Sequence, residues 1–148
     1  MIVRRLVQGD TLQSAIMLLQ RFFREEGFAT PDAVIATNVS RMAEINSCGL
    51  FVAEHDKTPV GVATVSMEFG IEFGWSAEMG DLYVVPDFRG KGVAAELVRA
   101  VEEFLRERSA TTYQVTVTQA SQQAHGLISF YRKFGFVDEG RQILSKSL

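Results

Sequence analysis

The chain has little of what staples, anchors or metallates a protein. Its 148 residues hold one cysteine, Cys48, which excludes an intramolecular disulfide framework and suits a reducing compartment, so the expected location is the cytoplasm. Cys48 opens an apolar run and reads as a small buried hydrophobe rather than a nucleophile. The two histidines, His55 and His125, and the cysteine lack ligand spacing, so no metal site is expected and neither histidine is given a role. No apolar stretch approaches the roughly 20 residues that a membrane span needs. No signal-peptide segment follows Met1-Ile2-Val3-Arg4-Arg5, and no membrane partner is expected. The net charge of −3 lacks the basic footprint of general nucleic-acid binding. Repeats, low-complexity segments and linkers are absent. A chain of this length can bury roughly two-thirds of its unfolded surface, and one domain is expected over residues 1–148.

What is present is a run of alternating strand and helix patterns. Residues 2–7 suit a strand. Asp10 or Thr11 can cap a helix in which Leu12, Ile16, Leu19 and Phe23 recur at helical spacing until Gly27. Thr30-Pro31 opens a second helix with Ile35, Val39, Met42 and Ile45 on one face. Residues 49–54 and 60–65 form strands of a hairpin around Asp56-Lys57-Thr58-Pro59. Over residues 68–75, Phe69, Ile71, Phe73 and Trp75 alternate with Glu68, Gly70, Glu72 and Gly74, a strand-like pattern with glycines that suggest a bend. A strand is expected over 78–85, then a helix carrying Val93, Leu97, Val101 and Phe104. A strand over 113–118, a helix over about 122–134 ended by Gly135, and short strands at 136–137 and 142–144 complete the chain. The fold class is α/β, with a central mixed sheet flanked by about four helices, and the strand–helix–strand unit over 78–118 is expected to be a parallel crossover.

The chemistry concentrates in Asp81-Leu82-Tyr83-Val84-Val85-Pro86-Asp87-Phe88-Arg89-Gly90-Lys91-Gly92-Val93-Ala94. A strand, a sharp turn and a glycine-rich helix start make an anion site, because the first N–H groups of a helix have no intrahelical partner and carry partial positive charge. Arg89 and Lys91 add fixed charge. A nucleoside-triphosphate loop would need a hydroxyl residue after Gly90-Lys91, where Gly92 stands. Gly90-Lys91-Gly92-Val93-Ala94-Ala95 fits a dinucleotide fingerprint, but the repeated strand–helix pattern such a fold needs does not follow.

Arg89-Gly90-Lys91-Gly92-Val93-Ala94 resembles the R/Q-x-x-G-x-G/A signature of the GCN5-related N-acetyltransferases. Leu82-Tyr83-Val84-Val85-Pro86 looks like that family's fourth strand, and Phe130-Tyr131-Arg132-Lys133-Phe134-Gly135-Phe136 like its second signature. The resemblance covers essentially the whole chain. It implies acetyl-CoA as donor, a primary amine of a small molecule or peptide as acceptor, direct attack in a ternary complex, and a homodimer. It also implies that backbone N–H groups from Arg89 to Ala94, with Gly90 and Gly92 allowing close approach, cradle the coenzyme A pyrophosphate. The strand edge at Leu82, Tyr83 and Val84 would pair with the pantetheine arm. Val84 N–H would donate to the thioester carbonyl, and Tyr131 would protonate the departing thiolate.

The attacking amine must be neutral, yet an alkyl amine at pH 7 is almost wholly protonated, so a base is required. Glu78, six residues before Val84, holds the position of the glutamate base in the histone-acetylating branch; residues 78, 80, 82 and 84 are expected to share one strand face. Asp81-Leu82-Tyr83-Val84 also resembles the diamine acetyltransferases, which have a glutamate where this chain has Gly80. Glu68, Glu72, Glu78 and Asp81 give the middle of the chain a negative bias suited to a cationic amine, and Phe69, Phe73, Trp75 and Phe28 are candidate apolar walls of the acceptor cleft. The alternatives are a non-catalytic coenzyme A-binding module and a nucleotide-binding oxidoreductase.

Overall fold

The computed structural model describes residues 1–148, which form two units, Met1–Val115 and Thr116–Leu148. The first holds a sheet of β1 (Ile2–Leu6), β2 (Cys48–His55), β3 (Thr58–Gly70), β4 (Gly74–Val84) and β5 (Thr112–Gln114), in that spatial order. Successive strands through β4 are antiparallel, and β5 runs parallel to β4. The mixed sheet and the parallel crossover match the expectation from sequence.

Helices α1 (Gln13–Glu26) and α2 (Asp32–Glu44) cover one face: Leu18, Leu19, Ile35 and Val39 are buried with Leu50, Val52, Val62 and Tyr83. The other face carries α3 (Val93–Glu107), whose Val93, Leu97, Val101 and Phe104 are buried along one stripe. That helix lies very close to the sheet. A Cβ added at Gly61 would sit 3.0 Å from both Val93 and Leu97 side-chain atoms, so a side chain there would have to push the helix residues aside.

Several expectations are corrected. The helix cap is neither Asp10 nor Thr11: Leu12 is the N-cap of α1 without a side-chain bond, and Asp10 instead accepts the Val7 N–H at 2.8 Å. The strands expected over 60–65, 68–75 and 78–85 are two long ones, β3 and β4, folded back at residues 71–73. Phe69 pairs with Trp75 across the hairpin, and Ile71 is fully exposed at its tip, so the four aromatic and aliphatic residues do not share one face. Gly74, at φ 66°, makes the turn. Cys48 is half-buried, with its sulfur 3.7 Å from the Ser66 hydroxyl. The strand expected over 113–118 is only three residues long, because pairing with β4 stops at Glu78↔Gln114; β-branched residues need a ladder to follow.

In the second unit, the helix expected over 122–134 is two short helices, α4 (Gln119–His125) and α5 (Leu127–Arg132). Thr118 caps α4 by accepting the Ser121 N–H at 3.1 Å. Gly126, at φ 61°, ends one helix and starts the next. The strands expected at 136–137 and 142–144 do not form. Val137, Ile143 and Leu144 are exposed and have no buried face to define a register. No helix is long and apolar enough to cross a membrane.

Candidate active site

After β4 the chain makes one 3₁₀ turn, Pro86–Phe88, and Arg89 N–H closes onto the Pro86 carbonyl at 3.2 Å. Gly90 and Gly92 then adopt φ of 73° and 84°, a region that L side chains enter only with strain. A Cβ on either would meet nothing within 4 Å, so the space over the loop is open. The first bond across the helix start runs from Glu96 N–H to the Gly92 carbonyl at 3.1 Å, and no side chain caps the end. The N–H groups of Gly92, Val93, Ala94 and Ala95 therefore precede the intrahelical ladder and face this opening as partial positive charge. The arrangement fits a pyrophosphate. Lys91 holds its ammonium 5.0 Å from the centre of the Phe88 ring, beside the same loop.

Arg89 is placed differently from a free phosphate ligand. Its Nε donates to the Val84 carbonyl at 2.9 Å, and its Nη2 donates to Glu25 at 2.9 Å. Tyr83 Oη donates to the other oxygen of Glu25 at 2.7 Å, and Tyr83 stacks on Phe22 with ring centres 5.3 Å apart. One carboxylate at the end of α1 thus ties the strand terminus to the glycine loop. Burial alone would raise the Glu25 carboxyl, but the hydrogen bonds from Tyr83 and Arg89 and the charges of Arg89 and Arg21 outweigh it and hold the group below its ordinary value. The Tyr83 phenol is pushed up to about 12, by burial first and then by its bond to Glu25.

The backbone of β4 divides by alternation. Val85 N–H bonds the Val60 carbonyl at 2.9 Å, and in an antiparallel ladder every second residue faces the partner strand. Tyr83, opposite Val62, therefore turns its main chain toward β3. Leu82 and Val84 turn theirs to the other edge, where β5 pairing has already ended at Glu78. The donors offered along that edge are thus Leu82 and Val84 N–H, not Tyr83.

A bulge corrects the expected strand face. The register shifts between Thr64 and Val65, so that Thr64 faces Asp81 and Ser66 faces Glu78, with Gly80 the extra residue. Glu78, Asp81 and Tyr83 consequently share the α1–α2 face, while Leu82 and Val84 face α3; residues 78, 80, 82 and 84 do not line up. Gln114 Nε2 approaches the Glu78 carboxylate at 3.5 Å. Asp81 accepts from Thr64 Oγ1 at 2.5 Å. Its carboxyl is raised by burial, against the Thr64 bond, and raised further by the charge of Glu78. Glu68 and Glu72 lie toward the exposed hairpin tip, away from this pair. Phe28 packs edge-on to Phe23 at 5.2 Å.

In the second unit Tyr131 is buried on α5, with its ring 5.2 Å from Phe130 and 5.3 Å from Phe136. Its carbonyl accepts the N–H groups of Phe134 and Phe136, so the aromatic run folds into one tight turn around it. Glu25, Thr64 and the paired role of Asp81 were not found by reading the sequence. Glu25 lies 64 residues from Arg89 in an ordinary charged helix end, and no local pattern marks it.

Over residues 13–136 the sequence matches the family described as Acetyltransferase (GNAT) family. A curated relative, an uncharacterized N-acetyltransferase of Methanocaldococcus jannaschii, is 30% identical over 93 residues, covering 62% of this chain and 40% of the relative. The matched stretch thus spans well under half of that protein. Among solved structures, an integron cassette protein from the mobile metagenome of Cole Harbour Salt Marsh superposes with a TM-score of 0.84 at 22% identity, over 99% of this chain and 90% of the other. AAC(6')-Iy in complex with the bisubstrate analogue CoA-S-monomethyl-acetylneamine has a TM-score of 0.84 at 17% identity, over 99% and 97%. At these identities the structures establish a shared fold.

Proposed function

Because this chain belongs to the acetyltransferase (GNAT) family, we propose that it moves an acetyl group from acetyl-CoA to a primary amine by direct attack within a ternary complex. One observation carries the reading. A strand edge bearing the N–H groups of Leu82 and Val84 runs into an uncapped helix start whose glycines leave the space above them open. An extended donor with an amide-bearing arm and a pyrophosphate matches that sequence of features: the arm adds to the edge as a strand would, and the phosphates meet the helix N-terminus. Arg89 acts by holding the loop against Val84 and Glu25, and Lys91 adds charge. When bound, the donor supplies an activated acetyl thioester.

The residues then divide the remaining work. Val84 N–H donates to the thioester carbonyl oxygen, a contact worth on the order of 3 kcal/mol where it strengthens in the transition state. Glu78 takes the proton that the ammonium must lose before its nitrogen can attack. The nitrogen–carbon bond forms as the carbon–sulfur bond breaks, the thiolate takes a proton from Tyr131, and the bonded nitrogen gives up its surplus proton through water to the phenolate as the neutral amide forms. Tyr131 is given that role on the resemblance of its motif. No covalent acetyl-enzyme is needed, and Cys48 of β2, hydrogen-bonded to Ser66 of β3, has no part in it. The acceptor is a small cationic amine, an aminoglycoside-like compound or a protein amine.

The test is a steady-state assay of coenzyme A release with an amine panel, run beside calorimetric donor binding. Glu78→Gln and Tyr131→Phe are expected to lower kcat by about a hundredfold or more, the usual scale of general acid–base catalysis, with acetyl-CoA affinity unchanged. Normal turnover in both variants would remove these roles. Donor binding without transfer to any amine would favour the non-catalytic coenzyme A-binding module.

A further inference from the structure

The bulge at Gly80 has a second consequence. By turning Asp81 onto the α1–α2 face it sets one carboxylate at the sheet end of a cavity of about 220 Å³. The walls are Leu19 and Phe23 of α1 and Ile35 and Val39 of α2, with Thr30 and Asn38 as neutral polar members, and Thr64 stands beside Asp81 at the base. No lysine or arginine lines the space. Thr64 occupies one oxygen of Asp81, and a carboxylate accepts through both oxygens.

We propose that this cavity receives the acceptor, and that Asp81 binds the ammonium of a compact, singly charged primary amine with an apolar body, of the arylalkylamine type. The inference rests on the acetyl-transfer reading and narrows its acceptor. Three observations favour this class over a polycation. Asp81 is the one charged residue of a largely apolar lining, which matches one charge on an apolar body; a second ammonium would lose water without a counter-charge. The volume falls below the roughly 300–1,000 Å³ of pockets for drug-sized ligands, which leaves room for one ring rather than the several of an aminoglycoside. The half-buried carboxylate, raised by desolvation and by Glu78, also lacks a cation that a bound ammonium would supply. The position is productive, because Asp81 adjoins Leu82 on the donor edge and shares its face with Glu78. Glu78 takes the ammonium proton, and the freed nitrogen forms the bond to the acetyl carbon as the thiolate leaves.

The experiment uses the full chain. Acetyl-CoA binding is measured first by calorimetry. Then 2-phenylethylamine, its neutral counterpart 2-phenylethanol, spermidine and kanamycin are titrated into protein saturated with coenzyme A, and each amine is assayed as acceptor with acetyl-CoA. Phenylethylamine is expected to bind and to be acetylated, with phenylethanol weaker by about tenfold or more, the loss of one charge-assisted hydrogen bond. Asp81→Asn, which keeps shape and the Thr64 partner, should bring phenylethylamine to the level of phenylethanol with acetyl-CoA affinity intact. Met42→Trp, on the cavity wall, should weaken both ligands, and it decides the matter if the Asp81 variant does not fold. Preference for spermidine or kanamycin, or unchanged phenylethylamine binding in the variants, would overturn the cavity assignment while acetyl transfer stood. Failure of acetyl-CoA itself to bind would overturn the transfer reading, and this inference with it.

Discussion

At the scale of single residues, the site depends on a carboxylate that no motif announces. Glu25 joins Tyr83, Arg89 and, through Arg89, the Val84 carbonyl. Its folded value lies below the ordinary one, so its stabilising contribution is present at neutral pH and disappears as pH falls through the folded value. Glu25→Gln is therefore expected to lower the urea midpoint near pH 7 and to flatten the acid limb of a midpoint-against-pH profile; an unaltered acid limb would show that the network adds nothing. Tyr83 works in the opposite direction. With its phenol moved from 10.0 to about 12, folded protein keeps a proton that unfolded chain releases, so stability is lost as pH rises across that interval. Tyr83→Phe should remove this alkaline loss, at a neutral-pH cost of about 1 kcal/mol for the missing hydrogen bond.

At the scale of elements, one inserted residue decides which carboxylates share a face. Gly80, the extra residue of the β4 bulge, sets Glu78 opposite Ser66 and so on the α1–α2 face with Asp81, not with Leu82 and Val84. The junction of α4 and α5 is a second such point. Gly126 sits at φ 61°, so Gly126→Ala is expected to cost about 1 kcal/mol, read as a shift in denaturation midpoint. These two glycines also mark where the sequence misleads. A lone glycine is tolerated within a helix pattern, so the expected helix over 122–134 hides the break at Gly126, and strand alternation through Glu78, Gly80 and Leu82 hides the bulge, because periodicity records faces and not insertions. The glycine loop was legible for the reverse reason: its chemistry is local, and the residues that make it are contiguous.

At the scale of the molecule, the order of elements was readable because long apolar stripes specify it. Val93, Leu97, Val101 and Phe104 are all buried, and α3 is pressed so closely on the sheet that a Cβ at Gly61 would crowd Val93 and Leu97 at 3.0 Å. Leu97, fully buried, is expected to cost about 2–5 kcal/mol as Leu97→Ala, measured by urea denaturation; a loss below 1 kcal/mol would mean that the helix is not held by this stripe. The exposed C-terminal segment carries no such stripe, and the strands expected there from β-branched and aliphatic residues do not form. The central claim is that the open β4 edge and the uncapped start of α3 together hold a coenzyme A thioester. Its most direct test is calorimetric titration of the protein and of Gly92→Glu with acetyl-CoA, with NADH and ATP as controls. The account predicts selective acetyl-CoA binding that Gly92→Glu abolishes, since a side chain at φ 84° is strained and its carboxylate repels phosphate. Equal binding of NADH, or unchanged acetyl-CoA binding in the variant, would contradict it.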